Sequence, residues 1–326
     1  MTTRIPLKII GGAISEFAST DSVSANGIEP RSGTVLTLGN GTTTDVRAGY
    51  ATVGDASTTT PATPAAGATL FSRFRAGSYM ASQIGASGAG YSFQPSLFSR
   101  KMSLWSAQGN NTTVSVIGFG VSNTGTATTR SVATTNFATM LRRVAFVSAA
   151  TAGASCGTRH GLLQFYRGDA AGRGGFFYVA RFVIDTVLAN MRWFVGLSAT
   201  AAALANANPS TLFDLFGFSI DSGQTTVRFI NNDTAGTATV VDLGASFPAT
   251  TAGVVYEIRL YCPPNGATIY YSIERLDTAA FVEGSVAADI PANTTLLAPQ
   301  IWMNNGAAGA AAVAVAVETQ YIETPE

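Results

Sequence analysis

Hydrophobic and polar residues alternate with a period of two along many short segments of the chain. In MRWFVGLSA and VVYEIRLYC, every second residue is apolar and lies on one side of an extended chain. The apolar residues of these two faces are Met191, Trp193, Val195 and Leu197, and Tyr256, Ile258, Leu260 and Cys262. A period of two with one apolar face is typical of a strand that packs on a core and meets solvent or a neighbour on its other face.

Segments of this kind recur from residue 70 to the C-terminal region, separated by turn sequences such as Asp221-Ser222-Gly223 and Pro263-Pro264-Asn265-Gly266. The predicted strands cover residues 70–75, 101–105, 113–119, 140–148, 160–167, 175–185, 191–199, 212–221, 225–231, 238–243, 254–261, 268–276, 296–303 and 311–322. Many short strands at this spacing predict an all-β protein, an antiparallel β-sandwich of the jelly-roll kind.

One segment departs from the strand pattern. Residues 200–208 are rich in alanine and end just before Pro209, so they predict a short helix, with Thr200 or Ser198 as its cap. We expect this helix to bridge the two sheets of the sandwich.

The first 66 residues differ from the remainder in composition and in the pattern of apolar residues. Ile5, Leu7, Ile9 and Ile10 are apolar anchors in an extended leader, and residues 34–38 form one further predicted strand. Pro-containing residues 55–68 read as a linker or long surface loop. We therefore predict an extended N-terminal attachment arm over residues 1–66 and a β-sandwich domain over residues 67–326.

Charge is scarce and balanced. Charged residues make up 12% of the chain, about half the roughly 25% that is usual for soluble domains, and nineteen basic residues balance nineteen acidic ones. Such a surface suits a subunit that is largely buried in an assembly or that works outside the cell. It argues against nucleic acid as a partner, because phosphate binding needs a clustered positive field.

The sequence predicts neither a membrane-spanning helix nor a signal peptide, because its apolar runs are short and Gly11, Gly12 and Glu16 interrupt the N-terminal one. Cys156 and Cys262 are isolated, and His160 is the single histidine, so no four-ligand metal site is expected. We interpret the cysteines as buried free thiols, although sequence separation leaves a disulfide open. His160 is expected to open a strand.

Catalytic chemistry has few candidates. A glycan hydrolase needs two carboxylates across a groove, and the candidates are Asp185, Asp214, Asp221, Asp233, Glu257 and Glu274. They fit turns, strand ends and exposed strand faces, so we interpret them as structural. No G-x-S-x-G motif surrounds a serine. Asn231-Asn232-Asp233 offers oxygens to calcium, but one carboxylate is a weak ligand set, and a plain turn is the preferred interpretation. No cofactor, metal or catalytic residue is predicted.

Aromatic residues are the remaining candidates for a ligand surface, because sugar rings stack on aromatic side chains while amide and carboxylate groups bond the hydroxyls. The candidate residues for a glycan site or a subunit interface are Tyr178, Tyr261, Tyr271, Trp302, Asn232 and Asp233. Phe176 and Phe177 must point to opposite faces of their strand, as must Tyr270 and Tyr271. One residue of each pair is therefore at the surface or in an interface, and the sequence leaves both open.

Several ordered segments resemble a known module. RWFVGLSA, NPSTLFDLFGFSIDSGQTTVRFINNDTAGTA, YEIRL, CPPNG, LLAPQIWMNNG and QYIETPE are similar to the concanavalin A-like, lectin-type domain of tailed-bacteriophage virion proteins, particularly fibres and receptor-binding proteins. The resemblance covers residues 191–326. RIPLKIIGGAISEFASTDSVS is also similar to the N-terminal segments of such fibre proteins. The resemblance implies a concanavalin A-like sandwich, a homotrimer and attachment to other virion proteins in the tail or capsid.

Three functions follow as hypotheses. The first is a non-enzymatic tail fibre or receptor-binding protein that engages host surface polysaccharide, assembled into the virion in the host cytoplasm without membrane insertion. The second is a head-decoration or other assembly protein that uses the sandwich for protein contacts alone. The third is a polysaccharide depolymerase.

Overall fold

Antiparallel pairing between short strands organises the chain. The computed structural model describes residues 61–62, 64–65, 68–75, 77–85, 90–92, 101–170, 173–306 and 311–324. The predicted all-β class and its antiparallel sandwich are confirmed. The predicted arm with Ile5, Leu7, Ile9 and Ile10, and the strand at 34–38, lie outside the described residues, as does most of the predicted linker.

The described residues form nineteen strands, one helical turn and one 3-10 turn. The strands are β1 (Ala68–Arg75), β2 (Ser78–Gly85), β3 (Gly90–Ser92), β4 (Lys101–Ala107), β5 (Val114–Ile117), β6 (Val121–Thr124), β7 (Thr126–Arg130), β8 (Arg143–Val147), β9 (Ser155–His160), β10 (Phe176–Thr186), β11 (Arg192–Ser198), β12 (Leu215–Ile220), β13 (Arg228–Asn232), β14 (Thr239–Asp242), β15 (Val255–Cys262), β16 (Ile269–Arg275), β17 (Ala280–Val286), β18 (Ala298–Asn304) and β19 (Ala314–Thr324). The helical turn is α1 (Phe137–Met140), and the 3-10 turn is Pro209–Thr211. Neither is long and apolar enough to cross a membrane.

Two large sheets face each other. Sheet I has the strand order β17, β16, β15, β10, β19, β4, β5, and β8 pairs with the first part of β19 while β7 pairs with β8. Sheet II has the order β14, β13, β12, β11, β18, β9, β6. A separate small sheet contains β1, β2 and β3.

The last two strands occupy central positions. β18 lies between β11 and β9 in sheet II, and β19 lies between β10 and the strands β4 and β8 in sheet I. Each sheet therefore contains one of these two late strands. It lies between strands from the early part of the chain and strands from the middle of the chain.

The core between the sheets is built from the predicted apolar faces. All eight residues of the two faces that the sequence pattern indicates are buried in one cluster. Its largest fully buried side chains include Trp105, Phe182, Trp193 and Tyr256. Burial of each such side chain contributes roughly 1.5–3 kcal/mol, so the alternation in the sequence is also the main source of cohesion between the sheets.

The predicted helix at residues 200–208 is wrong. This segment is irregular, and because it connects β11 to β12 within sheet II, it does not bridge the sheets. The side-chain amide of Gln300 donates to the carbonyls of Thr200 (2.6 Å) and Ala202 (3.0 Å), and the Arg159 guanidinium donates to Ala201 (2.9 Å). These carbonyls accept hydrogen bonds from side chains of the sheet instead of from helical N–H groups. These side-chain bonds outweigh the helix propensity of alanine.

The segment covers an apolar patch on the outer face of sheet II. Leu204 packs in a buried cluster with residues from β11, β12, β13 and β18. The other members of this cluster are Phe194, Leu215, Ile230 and Trp302. We call residues 199–212 the cover loop.

Four strands of the sandwich lie outside the predicted set: β6, β7, β17 and most of β9. The prediction that His160 opens a strand is wrong, because His160 is the last residue of β9 and Phe165 makes only an isolated bridge to Leu297. Strands such as VSNT and TATTR consist mainly of Thr, Ser and Asn and have no apolar face. They are held by backbone hydrogen bonds to neighbouring strands, which leave no period in the sequence.

Candidate functional site

Three aromatic side chains cross the outer face of sheet I. The register places Phe177 of β10 opposite Tyr261 of β15, and Tyr261 opposite Tyr270 of β16. Their ring centroids are 6.5 Å and 6.1 Å apart, and all three side chains are half-buried. We call these three residues the aromatic row.

The structure confirms the prediction that aromatic residues adjacent in sequence point to opposite faces of their strand. Phe176 and Tyr271 point into the core, where Tyr271 stacks on Phe229 at 3.9 Å between centroids. Phe177 and Tyr270 are their partners on the other side of the sheet. The strand period therefore sends one aromatic of each pair to the outer face.

An ion-pair network adjoins the aromatic row on the same face. Glu257 of β15 binds Arg181 of β10 at 2.5 Å and Arg259 of its own strand. Arg181 also reaches Glu318 at 3.1 Å, and Arg259 lies 3.8 Å from Glu274. We call these five residues the ion-pair network. It holds two cations and three carboxylates, and it positions them by cross-strand register.

The network keeps its central groups charged. Burial by itself raises the pKa of Glu257, but Arg259 and Arg181 outweigh it and hold the pKa below its usual range. Burial by itself lowers the pKa of Arg181, whereas Glu257 and Glu318 outweigh it and raise the pKa. The face therefore presents fixed hydrogen-bond donors and acceptors beside an aromatic surface.

The turn between β1 and β2 contacts one end of the row. Gly77 has a φ of +73°, and a Cβ at this position would lie 2.3 Å from Cγ of Tyr270. A side chain at residue 77 would thus clash with the ring and strain the backbone. The small sheet β1–β3 therefore approaches the aromatic row through a glycine.

Of the residues that the sequence marks for a ligand or interface surface, two tyrosines are in the core. Tyr178 is fully buried and donates to the side-chain carbonyl of Gln320 (3.0 Å), and Tyr271 is buried against Phe229. Both rings lie on the inward side of their strands, so neither offers surface to a ligand. Only Tyr261 of the marked aromatic residues lies on the outer face of sheet I.

The other marked residues lie on sheet II or just beyond it. Trp302 is buried beneath the cover loop, and Asn232 is buried with its amide donating to the carbonyl of Leu212 (2.8 Å). Asp233 is half-buried, and its carboxylate accepts from the amide of Ala235 (2.8 Å). Asn231 and Asn232 belong to β13, so the turn predicted at Asn231-Asn232-Asp233 starts only at Asp233.

Phe177 and Tyr270 entered the sequence analysis only as members of the pairs with Phe176 and Tyr271. Of the ion-pair network, only Glu257 and Glu274 were named there, as candidate carboxylates. The sequence does contain a signal for the two aromatics. Each is next in sequence to an aromatic residue that the two-residue period places in the core. The network has no local signal, since its members come from β10, β15, β16 and β19, and only register brings them together.

The candidate carboxylates outside the network have structural partners. Asp185 accepts hydrogen bonds from Nε and Nη2 of Arg130, the shortest at 2.6 Å, and Asp221 accepts from the hydroxyl of Ser210 at 2.6 Å. Asp214 differs, because its φ is +51° and burial, together with Asp233, raises its pKa. No group of three or more acidic, histidine or cysteine side chains among the described residues is arranged to hold a metal ion.

The thiols and the histidine are also buried. Cys156 and Cys262 are free, as the sequence analysis favoured, and burial raises the pKa of Cys156 to about 12 and that of Cys262 to about 11. A protonated buried thiol is a poor nucleophile. Burial lowers the pKa of His160, whose Nε2 accepts from the amide of Gly120 at 3.2 Å. Both cysteines belong to the core cluster between the sheets, and His160 packs beside Phe119 of that cluster.

Comparison with known proteins gives matches in structure alone. No protein-family model matches the chain, and no curated protein matches it in sequence. A protein of unknown function from Shewanella oneidensis MR-1 is similar at 10% identity and a TM-score of 0.45, over 71% of this chain and 90% of that one.

Plant lectins are similar to a comparable degree. Peanut lectin in complex with a nine-residue peptide matches at 7% identity and a TM-score of 0.45, over 69% of this chain and 97% of the lectin. Lectin II from Ulex europaeus matches at 10% identity and a TM-score of 0.44, over 69% of this chain and 98% of the lectin. Similarity at this level is limited to the arrangement of the strands and implies nothing about ligands.

Proposed function

We propose that this chain is a non-enzymatic virion protein of a tailed bacteriophage, a tail fibre or receptor-binding protein that attaches to host surface glycan. The observation that carries glycan binding is the aromatic row beside the ion-pair network. Aromatic faces stack on the apolar C–H faces of sugar rings, and fixed carboxylates and guanidinium groups bond to their hydroxyls. The virion assignment is supported by the sequence resemblance of residues 191–326.

Assembly is part of the proposal. A homotrimer attached to other tail or capsid proteins, and assembled in the host cytoplasm, displays several copies of the face on one particle. Weak sites that are repeated in this way gain avidity without new contacts. The low and balanced charge of the chain fits a protein that is partly buried in such an assembly.

Binding of the purified full chain to host envelope polysaccharide tests the proposal. We expect Phe177→Ala combined with Tyr261→Ala to weaken binding by about tenfold or more, since each lost stacking contact costs on the order of 1 kcal/mol. Phe213→Ala is the matched control, because Phe213 is an exposed aromatic outside the row. Absence of binding by the unaltered chain, equal weakening by the control, or cleavage of the polysaccharide would contradict the proposal.

A head-decoration or other assembly protein is a second candidate. The contact of Gly77 with Tyr270 supports it only indirectly, because it covers part of the aromatic row and leaves less of that surface to a sugar. Retention of the protein on capsids that lack tails would support this candidate, and loss of the protein together with the tail would contradict it.

A further inference from the structure

The described strands along one lateral side of the sandwich carry almost no charge of their own. No Lys, Arg, Asp, Glu or His stands between Lys101 and Arg130. This stretch includes β5 and most of β7, which form the lateral edge of sheet I, and β6, which forms the edge of sheet II on the same side. We call the surface of β5, β6 and β7 the uncharged edge.

The chain passes back and forth between the sheets along this edge. It leaves β5, crosses through Gly118-Phe119-Gly120 to β6, and returns through Gly125 to β7. Phe119 is buried in the main core beside His160. The edge is therefore well anchored, and its exposed side chains are held by an ordered frame.

Aliphatic side chains project from the edge into solvent. Val116, Ile117 and Val121 are 45%, 55% and 38% exposed. Val132, which is 42% exposed, adjoins them because its amide donates to the side chain of Asn110 in the β4–β5 turn (2.7 Å). The charge that ends the stretch, Arg130, is bound to Asp185.

The opposite lateral side shows the usual protection of a sheet edge. There β14 carries Asp242 and β17 carries Glu283, both exposed. Charges on an edge strand prevent pairing with further strands, because a bound strand would desolvate them. β5 and β6 have no charge and no proline, so this protection is missing from the uncharged edge.

We infer that the uncharged edge packs against the same edge of further copies of this chain. Residues that lie close to a symmetry axis are near their own counterparts, so a charge at such a position would meet a like charge. A surface without charges avoids this repulsion, and unpaired backbone groups of an edge strand are best satisfied by another strand. The zero net charge of the chain adds no repulsion between copies.

Sedimentation velocity of the full chain tests this inference. We expect the unaltered protein to sediment as an oligomer, and Val116→Lys to raise its dissociation constant at least about tenfold, since like charges then meet across the contact. The matched control is Val240→Lys, because Val240 is 40% exposed on β14 at the opposite edge. We expect this control to keep the unaltered mass.

A second variant separates disruption of the contact from misfolding. Asn123→Lys places a charge on β6 at an exposed polar position, so it removes no apolar packing. Dispersal of the oligomer by either folded edge variant supports the inference. A monomeric unaltered chain, an unchanged mass for both edge variants, or equal dispersal by Val240→Lys overturns it. A monomeric unaltered chain would also contradict the homotrimer of the proposed function, whereas an unchanged mass for both edge variants would overturn this inference alone. Polysaccharide binding plays no part in this readout, so glycan attachment is tested separately.

Discussion

The outer faces of the two sheets differ in how they are completed. The outer face of sheet II holds an apolar cluster around Phe194 and Trp302, and the cover loop buries it. The outer face of sheet I also has a small apolar cluster, in which Val183, Val255 and Ala316 are buried with Ala138 of α1. On the same face lie the ion-pair network and the aromatic row, whose members are half-buried apart from the buried Glu257. Both faces come from strands with the same period of two.

This comparison shows that the period decides which residues share a face but not what covers it. Apolar side chains on an outer face must be buried by another element, and the chain supplies residues 199–212 for that purpose. Charged side chains that pair with one another can remain partly in solvent, as Arg181 and Glu274 do. We therefore expect the larger apolar cluster of sheet II to contribute more to stability than the charged and aromatic part of sheet I.

The largest expected effect comes from Trp302→Ala. Removing this buried indole opens a cavity under the cover loop, and we expect a loss of about 3–5 kcal/mol in the free energy of unfolding. Urea denaturation followed by circular dichroism measures it. A loss below about 1 kcal/mol would show that the loop collapses onto the face and that the cluster contributes little.

An intermediate effect is expected from Glu257→Gln. Loss of a buried ion-pair partner costs about 3–5 kcal/mol, but Arg181 and Arg259 keep part of their side chains in solvent, so we expect roughly 2 kcal/mol at neutral pH.

The pH dependence of the same variant sharpens this prediction. Because the pKa of Glu257 is lower in the folded state, its carboxylate stabilises the fold above its unfolded pKa, and this contribution is lost as pH falls through the folded pKa. The unaltered protein should thus lose stability more steeply than Glu257→Gln on acidification below the ordinary glutamate range. Parallel pH profiles of the two urea midpoints would refute the role of the network.

A smaller effect is expected from Gln300→Ala, which removes two hydrogen bonds from sheet II to carbonyls of the cover loop and leaves the bond from Arg159 to Ala201. We expect about 1–2 kcal/mol of destabilisation and faster hydrogen exchange in residues 199–208. Gln108→Ala, at an exposed position, is the control. Unchanged exchange in the loop would mean that the apolar packing of Leu204 and the hydrogen bond from Arg159 are enough to hold it.

The smallest effect on stability is expected from Phe177→Ala. The side chain is half-buried and its neighbours in the row remain, so we expect about 1 kcal/mol, well below the loss for Trp302→Ala. Urea denaturation of the two variants side by side measures the difference. Equal losses would show that the outer face of sheet I is as important for folding as that of sheet II.

Strand positions and the core could be predicted from the sequence where apolar alternation is strong. β11 and β15 were predicted within a residue or two, with their inward faces correctly assigned. The edge strands β6 and β7 could not be found in this way, because Thr, Ser and Asn on both faces give no period.

The candidate surface was harder to predict than the fold. Tyr178 and Trp302 both lie on strands with apolar residues on each face, so their sequence pattern does not distinguish a ligand platform from burial. Residues 200–208 show the same limit for helices, because Gln300 and Arg159, which hold the loop carbonyls, are distant in sequence. Contacts that depend on register between remote segments leave no local pattern.

The central placement of β18 and β19 has a consequence for synthesis on the ribosome. The strands β4 to β9 and β10 to β17 are made first, yet each sheet gains its connecting strand only when residues 298–324 have left the exit tunnel. Until then Trp105 and Phe146 lack their final neighbours on β19. The nascent chain therefore has a long interval in which apolar strands are exposed to misassembly, and its completion depends on late, long-range pairing.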